Sequence, residues 1–253
     1  MANYVVIPAR LQSSRLPGKL LLERTGKPLL QYTWEAARKA ELVKSVLIAT
    51  DSEEICITAR LFGAQVVMTD EHRNGTLRVA EAAKKFGGFD PVDSLEIVAN
   101  DLFINVQGDE PDINPNDIDK LIKAMKMAPM PMAAGTLVSD LDDGKIEYNE
   151  KFNYSVVKAA VSNGRCVYFS RAPIAGARRH VGVYAYWRST LAILAEHEND
   201  KAFSYLAEHE NLEQLMILEL GMPMQAVECS HPVKGIDTEE DYERFCARRH
   251  ADK

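Results

Sequence analysis

The first thirty residues carry an unusual concentration of positive charge. They contain one acid, Glu23, although the whole chain has a formal net charge of -7. Cations on a globular surface are usually interspersed with acids. The pattern therefore favours a loop that binds an anion with several charges, such as a polyphosphate, over the alternative of a solvated basic loop. The cations are Arg10, Arg15, Lys19, Arg24 and Lys27.

This basic segment directly follows a short apolar run, Val5 to Ile7, which predicts a buried strand that ends at Pro8. Its Ser, Pro and Gly content is typical of a loop. In an open α/β sheet, ligands bind beyond the carboxyl ends of the strands. The chain contains neither a Walker A motif nor a dinucleotide-binding Gly-x-Gly-x-x-Gly motif. Side chains of the loop, rather than backbone amides, would therefore hold the anion.

Two acids follow a later strand, predicted over residues 102–106. Asp109 and Glu110 would emerge at the same edge of the sheet as the basic loop, if the two strands are parallel neighbours. Carboxylates beside a polyphosphate repel it unless a divalent cation lies between them, and Mg²⁺ is commonly held by one or two carboxylates plus phosphate oxygens. We therefore expect Mg²⁺. The alternative for each acid is an exposed surface position, and for Glu110 this alternative is favoured.

Two further charged residues lie beside predicted helix starts. Thr238 opens a Thr-x-x-Asp capping box, which leaves Asp237 free for another role. Arg78 falls in the first turn of a helix that follows Asn74, where a cation is unfavourable against the helix dipole. Either a bound phosphate compensates that charge, or the arginine is solvated at a small cost.

The middle of the chain predicts a less regular, β-rich region. Strands are expected over 133–138, 154–161 and 165–169, with a hairpin around Gly164. The alternation of His180, Gly182, Tyr184 and Tyr186 places all four on one face of a strand. That row either lines a binding site or forms a stacked cross-strand core, and the sequence does not decide between the two.

The remaining strands and helices alternate, which predicts an α/β fold with a doubly wound, mostly parallel sheet. Helices are expected over 29–40, 53–62, 116–127 and 212–220, and strands over 45–51 and 65–68. The chain contains no repeat, low-complexity tract or long linker. We expect one domain, 1–253, with an embedded β-rich excursion over about 133–186.

Composition excludes several classes of protein. With 46% hydrophobic and 26% charged residues, the chain is typical of soluble globular proteins, and no stretch approaches the roughly 20 apolar residues of a membrane span. The acidic balance argues against a nucleic-acid-binding surface. The four cysteines form no Cys-x-x-Cys pair, and no basic-then-apolar leader precedes the first strand. We expect a cytoplasmic protein that binds neither membranes nor nucleic acid.

Taken together, these stretches resemble the 3-deoxy-manno-octulosonate (Kdo) cytidylyltransferases, also called CMP-Kdo synthetases, over nearly the full chain. The resemblance rests on eight ordered motifs. They are Ile7-Pro-Ala-Arg-Leu-Gln-Ser-Ser-Arg-Leu-Pro-Gly-Lys19, Ala49-Thr-Asp51, Gly75-Thr76 with Arg78, Asn105-Val-Gln-Gly-Asp-Glu-Pro111, Tyr168-Phe-Ser-Arg171, His180-Val-Gly-Val-Tyr-Ala-Tyr186, Leu212-Glu-Gln-Leu215 and Gly235-Ile-Asp-Thr-Glu-Glu-Asp241.

The resemblance implies a fold of the nucleotide-diphospho-sugar transferase type, with a β-rich element that forms a homodimer. It implies transfer of CMP from CTP to a 2-keto sugar acid, with Asp109 and Asp237 as Mg²⁺ ligands and with Arg10, Arg15 and Lys19 holding the triphosphate. Pro8, Ala9, Gly75, Arg78 and Gln107 would lie by the nucleotide. The residues that would contact the sugar acid are Arg171, His180, Tyr184, Glu213 and Gln214.

Three positions differ from the pattern usual in that family. Leu77 replaces an aspartate, Met216 replaces an arginine, and only the eight residues 172–179 separate Arg171 from His180. All three bear on the acceptor side, so Kdo is the leading acceptor and an amino-substituted Kdo or a phosphonate is the alternative. A nucleotide-binding module without catalytic activity is the alternative from another class, and the presence of both aspartates argues against it.

Overall fold

A mixed sheet of nine strands runs through the described part of this computed structural model, which covers residues 2–13, 15–86, 101–141, 149–200, 205–230 and 235–251. The strands lie in the order β3-β2-β1-β4-β8-β5-β9-β7-β6. Their bounds are β1 Asn3–Ala9, β2 Ser45–Thr50, β3 Gln65–Met68, β4 Leu102–Val106, β5 Ala134–Ser139, β6 Lys158–Ser162, β7 Arg165–Ser170, β8 Arg178–Trp187 and β9 Met224–Glu228.

Helices connect most of these strands, and in the described residues none is long and apolar enough to cross a membrane. Their bounds are α1 Leu29–Ala37, α2 Glu53–Leu61, α3 Gly75–Phe86, α4 Pro115–Met127, α5 Arg188–Glu196, α6 Tyr205–Glu210, α7 Leu215–Glu219 and α8 Glu239–Ala251, with a short 3₁₀ turn at Lys19–Leu21.

The first half of the sheet is parallel. Strand β1 pairs in parallel with β2 on one side and with β4 on the other, and β2 pairs in parallel with β3. The chain order therefore reverses at β1, and the carboxyl ends of β1 and β4 lie side by side. Such a switch point is where open α/β sheets bind ligands.

The second half of the sheet is largely antiparallel, so the prediction of a mostly parallel sheet holds only for the first half. Strand β8 lies antiparallel between β4 and β5, and β7 pairs antiparallel with both β6 and β9. The predicted hairpin is confirmed between β6 and β7. Its two turn residues, Asn163 and Gly164, have φ values of 50° and 72°, as a tight hairpin turn requires.

The core fills both faces of the sheet, because alternate side chains of a strand point to opposite sides. Val5 and Ile7 pack with residues of α1, α2 and α4 on one face. Tyr4 and Val6 pack with residues of α3, α5 and α7 on the other. The α/β class is confirmed, with helices on both faces of the sheet.

Local sequence signals fix several element ends as predicted. Ser52 caps α2 by accepting a 3.3 Å bond from Ile55 N, and Thr238 and Asp241 form the predicted capping box of α8. Pro8, however, does not end β1, which continues to Ala9. Pairing of β1 with β4 stops at Val6, so the missing N–H of Pro8 breaks no ladder bond on that side.

Candidate active site

The basic loop follows β1 at the switch point and borders a cavity of about 570 Å³. Arg10 is exposed, and Gly18 adopts a φ of 64°, a left-handed conformation that favours glycine. That turn directs the chain into the short 3₁₀ turn that begins at Lys19. A volume of this size suits a small ligand. The cavity is lined by Arg10, Leu11, Gln12, Ser13, Pro17 and Gly18; Ser14 lies outside the described residues.

Lys19 brings the two predicted aspartates to a single point. Its Nζ donates to Oδ2 of Asp109 and lies 3.2 Å from Oδ1 of Asp237. The same ammonium donates a 2.9 Å bond to the backbone oxygen of Ile236, and Ile236 N donates to Asp109 O at 2.9 Å. Residues separated by more than 100 positions in the chain therefore share one cation. Arg15 adds a second positive charge, 3.0 Å from Asp237 Oδ1.

The carboxylate pair fits a magnesium site that substrate oxygens complete. Among the described residues, no group of three or more His, Cys, Asp or Glu side chains could hold a metal ion. Two carboxylates that converge on one cation are nevertheless a hard-oxygen donor set, and Mg²⁺ typically takes one or two carboxylates with phosphate oxygens and water. Asp109 and Asp237 are the residues that would hold it.

Glu110 lies inside the protein, so the expectation of an exposed surface acid is wrong. The residue is 8% exposed, and no described group donates to its Oε2. Burial raises the pKa of Glu110 well above its usual range, and the negative charge of Asp109 raises it further. The segment that covers the acid includes Gly235, where a Cβ would lie 3.1 Å from Glu110 Oε1. The absence of a side chain at Gly235 lets that segment close over the acid.

Arg78 is also buried, which contradicts the alternative of a solvated arginine. It is 3% exposed, and its guanidinium donates to Asp51 Oδ2 at 2.8 Å and to Thr69 Oγ1 at 2.7 Å. The anion that compensates the arginine is therefore a carboxylate at the end of β2. Arg78 fixes the first turn of α3 to the carboxyl edge of the parallel strands, which is a positioning role.

Gln107 and Gly75, both predicted to lie by the nucleotide, are close together beside Pro8 of β1. A Cβ on Gly75 would lie 3.3 Å from Gln107 Nε2 and 3.3 Å from Pro8 Cγ. Glycine therefore keeps a narrow gap open between the start of α3 and the strand ends. Pro8 and Ala9 are themselves buried, so they offer the site backbone rather than side chains.

The predicted acceptor residues form a second group on β8 and the segment before α7. The rings of His180 and Tyr184 are 5.3 Å apart, and Tyr184 stacks on Tyr186 at 5.9 Å. Tyr184 OH donates to Gln214 Oε1 at 3.3 Å. Glu213 accepts a 3.1 Å bond from Thr76 N at the start of α3. His180, Tyr184 and Tyr186 thus form a stacked core on β8, to which Tyr184 and Gln214 add a hydrogen bond.

Burial sets the charge states in this group. It lowers the pKa of His180 to about 3, so the ring is neutral near neutral pH, and His180 Nε2 lies 3.1 Å from Thr136 Oγ1. Burial also raises the pKa of Glu213, against the opposing effect of the Arg10 charge and of hydrogen bonds from Thr76. The positive charge of Arg10, in the basic loop, thus acts to lower the pKa of Glu213 in the predicted acceptor group.

Arg171 stands apart from the other predicted site residues. Its Nη1 donates to Tyr154 O at 3.2 Å, and within the described ranges no hydrogen bond or ion pair joins it to His180 or Tyr184. Its backbone oxygen instead accepts a 2.9 Å bond from Lys158, a fully buried lysine that also binds Val156 O at 2.8 Å. The sequence offered a signal for Lys158, a lone cation inside an apolar run.

The three unusual positions are accommodated without strain on the site. Leu77 is 2% exposed and Met216 is 5% exposed, and Met216 packs in the core cluster that contains Tyr184. The short connection from β7 to β8 turns at Gly176, which has a φ of 67°. Apolar side chains thus replace the two charges that the resemblance led us to expect.

The basic loop at the strand switch point, with Lys19 bound to Asp109 and 3.2 Å from Asp237, fits a nucleotide-binding α/β transferase. The family model for Cytidylyltransferase matches residues 4–228. The chain is 38% identical over 254 residues to a 3-deoxy-manno-octulosonate cytidylyltransferase of Chlorobium phaeobacteroides, covering 96% of this chain and 95% of that protein. It is 39% identical over 260 residues to the enzyme of that name from Chlorobaculum tepidum, covering 96% and 95%. The chain therefore belongs to the 3-deoxy-manno-octulosonate cytidylyltransferases, within the cytidylyltransferase family.

Solved structures agree with this assignment. A CMP:2-keto-3-deoxy-manno-octonic acid synthetase complexed with CTP superposes with a TM-score of 0.84 at 32% identity, covering 100% of both chains. A 4-diphosphocytidyl-2C-methyl-D-erythritol synthase from Anaerococcus prevotii superposes with a TM-score of 0.62 at 13% identity, covering 98% of each chain. The second likeness shows the fold alone.

Proposed function

We propose that this chain transfers CMP from CTP to a small sugar acid and releases pyrophosphate, with Kdo as the acceptor. The observation that carries the proposal is the convergence of Asp109 and Asp237 on one cation beside the basic loop, in a chain of the Kdo cytidylyltransferase family. CTP is the donor because the similar solved structure was obtained with CTP.

The residues act by positioning and by neutralising charge, since phosphoryl-group transfer needs little covalent help. Arg10, Arg15 and Lys19 offset the triphosphate charge. The anomeric hydroxyl of the sugar acid forms a bond to the α-phosphorus as the bond to pyrophosphate breaks in line. A Mg²⁺ ion held by Asp109 and Asp237 would supply further stabilisation of the developing negative charge. No nucleophilic side chain is required.

The acceptor group would hold the acid by hydrogen bonds and ring contacts rather than by a charged histidine. His180 is neutral near pH 7, and Tyr184 and Gln214 already bind each other. Leu77 and Met216 remove one negative and one positive charge relative to the usual family pattern. They keep open the alternative of an amino-substituted Kdo or a phosphonate as acceptor.

We further propose that the chain is one domain and that its β-rich excursion, 133–186, forms a homodimer. Support comes from exposed large apolar side chains in that region, Phe152 at 61%, Tyr154 at 65% and Val167 at 53% exposure. Burial of such side chains at a subunit contact is favourable. We place the enzyme in the cytoplasm, because all four cysteines are unpaired, as is usual in a reducing compartment.

The test is pyrophosphate release from CTP and Mg²⁺ with a panel of acids. Release with Kdo supports the proposal, and release only with an amino-substituted Kdo or a phosphonate would replace the acceptor. Binding of CTP without turnover on any acid would instead indicate a silent nucleotide-binding module. Omission of Mg²⁺ should abolish release in every active reaction.

A further inference from the structure

Asn105 is a polar side chain with no exposed surface, on β4, two residues before Gln107. Its Oδ1 accepts a 3.2 Å bond from Gln107 Nε2, whereas no described group accepts from its Nδ2. A buried amide with an unsatisfied group costs about 1 to 3 kcal/mol. The neighbours of Asn105 on this strand are apolar, so packing alone would favour an aliphatic residue here.

The bond from Gln107 to Asn105 determines which end of the Gln107 amide is available. The nitrogen is engaged by Asn105, and among the described residues no group donates to Gln107 Oε1. Glycines leave room around this amide. A Cβ on Gly75 would lie 3.3 Å from Nε2 and 3.6 Å from Oε1, and a Cβ on Gly182 would lie 3.8 Å from Cγ. Neither glycine has a side chain that would cover the amide.

We propose that Asn105 is a positioning residue that holds the Gln107 amide with its carbonyl oxygen toward the substrate. The substrate group that meets Gln107 is then a hydrogen-bond donor, a hydroxyl or an amine. The inference rests on the proposed function in so far as Gln107 borders a substrate. Both substrates carry such donors, CTP on its ribose and base and the sugar acid on its hydroxyls, so each must be measured separately.

A double-mutant cycle tests whether Asn105 acts through Gln107. Wild type, Asn105→Leu, Gln107→Leu and the double variant are compared by kcat and by KM for CTP and for Kdo. Each single variant should raise the KM of one substrate about 3- to 10-fold, as loss of one hydrogen bond would. The substrate whose KM rises is the source of the donor. The double variant should have a KM no higher than that of Gln107→Leu. If Asn105→Leu raised the KM by the same factor in wild type and in Gln107→Leu, the proposal would be overturned.

Asn105→Asp is the matched conservative variant, because its carboxylate can still accept from Gln107 Nε2. Its KM should lie much closer to that of wild type than the KM of Asn105→Leu does. An Asn105→Asp enzyme as impaired as Asn105→Leu would mean that the two amides are paired the other way round, and would also overturn the proposal. Thermal unfolding of each variant checks the fold, and Asn105→Ala replaces Asn105→Leu in the cycle if the leucine variant does not fold.

Failure of the proposed function gives a different result. A wild type that forms no CMP-Kdo refutes the acceptor, and the same cycle is then run on CTP affinity by calorimetry. In that measurement, equal losses of CTP affinity in both backgrounds refute the role of Asn105. A CTP affinity that Gln107→Leu leaves unchanged assigns the donor to the acid, and the cycle is then run on KM for the acid of the panel that releases pyrophosphate, where equal losses in both backgrounds again refute the role of Asn105.

Discussion

Replacement of Asp237 by asparagine separates the proposed metal role from a structural one. Asp237 Oδ1 lies 3.2 Å from Lys19 Nζ and 3.0 Å from Arg15, and its side chain is 40% exposed. Loss of such an exposed ion pair should change the free energy of unfolding by no more than about 1 kcal/mol. Loss of one of the two negative charges that would hold Mg²⁺ should lower kcat about 100- to 1,000-fold, comparable to removal of one preorganised electrostatic group.

Glu239→Gln is the matched control for Asp237→Asn. Glu239 lies two residues further on, is 43% exposed and pairs with Arg24, whose exposure of 53% is close to the 59% of Arg15. The control should keep kcat within about twofold, because a surface ion pair of this kind contributes at most about 1 kcal/mol.

The assay is pyrophosphate release at saturating CTP and Kdo over a range of Mg²⁺ concentrations, with urea unfolding measured in parallel. A kcat loss of 100- to 1,000-fold corresponds to about 2.7 to 4 kcal/mol of transition-state stabilisation. Asp237→Asn should also raise the Mg²⁺ concentration needed for half-maximal activity. Near-normal turnover in Asp237→Asn, or an equal loss in Glu239→Gln, would refute the metal role of Asp237.

Three further predictions concern the surroundings of the site. Gly75→Ala should raise a substrate KM without loss of stability, since its Cβ would lie 3.3 Å from Gln107 Nε2 at a helix start; unchanged steady-state kinetics would contradict this. Arg78→Met should lower the free energy of unfolding in urea by about 2 kcal/mol, because it removes the hydrogen bonds from the buried guanidinium to Asp51 and Thr69. His180 has a pKa of about 3 in the folded protein and about 6.5 unfolded, so it is the unfolded state that gains a proton as pH falls below 6.5. Stability should therefore fall between pH 7 and pH 5 by about 2 kcal/mol more in wild type than in His180→Gln, as measured by urea unfolding at both pH values.

The parts of the fold that rest on local signals were predictable from the sequence. Strands β2 and β3, the caps at Ser52 and Thr238, and the turn at Gly164 each depend on residues within a few positions. The antiparallel placement of β8 between β4 and β5 depends on pairing across the whole chain. The residue pattern within β8 does not indicate which strands it pairs with.

The same distinction between local signals and contacts across the chain applies to the site residues. The family resemblance predicted that Asp109 and Asp237 share an ion near Lys19, and the structure brings these three side chains together. Glu110 was misassigned because its burial comes from a segment more than 100 positions away. For Arg78 the sequence left a bound phosphate and solvation as alternatives, and it did not reveal Asp51 as the partner because Asp51 belongs to a different strand-helix unit. Charged residues in loops are solvated on average, and only tertiary contacts reveal the exceptions.

The change from parallel to antiparallel pairing at β4 and β8 bears on how this enzyme could diversify. The basic loop follows β1, one of the parallel strands. His180 and Tyr184 lie on β8, which runs antiparallel to β4 and belongs to the other half of the sheet. If His180 and Tyr184 bind the acceptor as proposed, mutations along β8 or in the short connection before it would change acceptor binding and leave the parallel strands and the basic loop unchanged. Homologues that accept different acids could thus diverge in one half of the sheet and inherit the other unchanged.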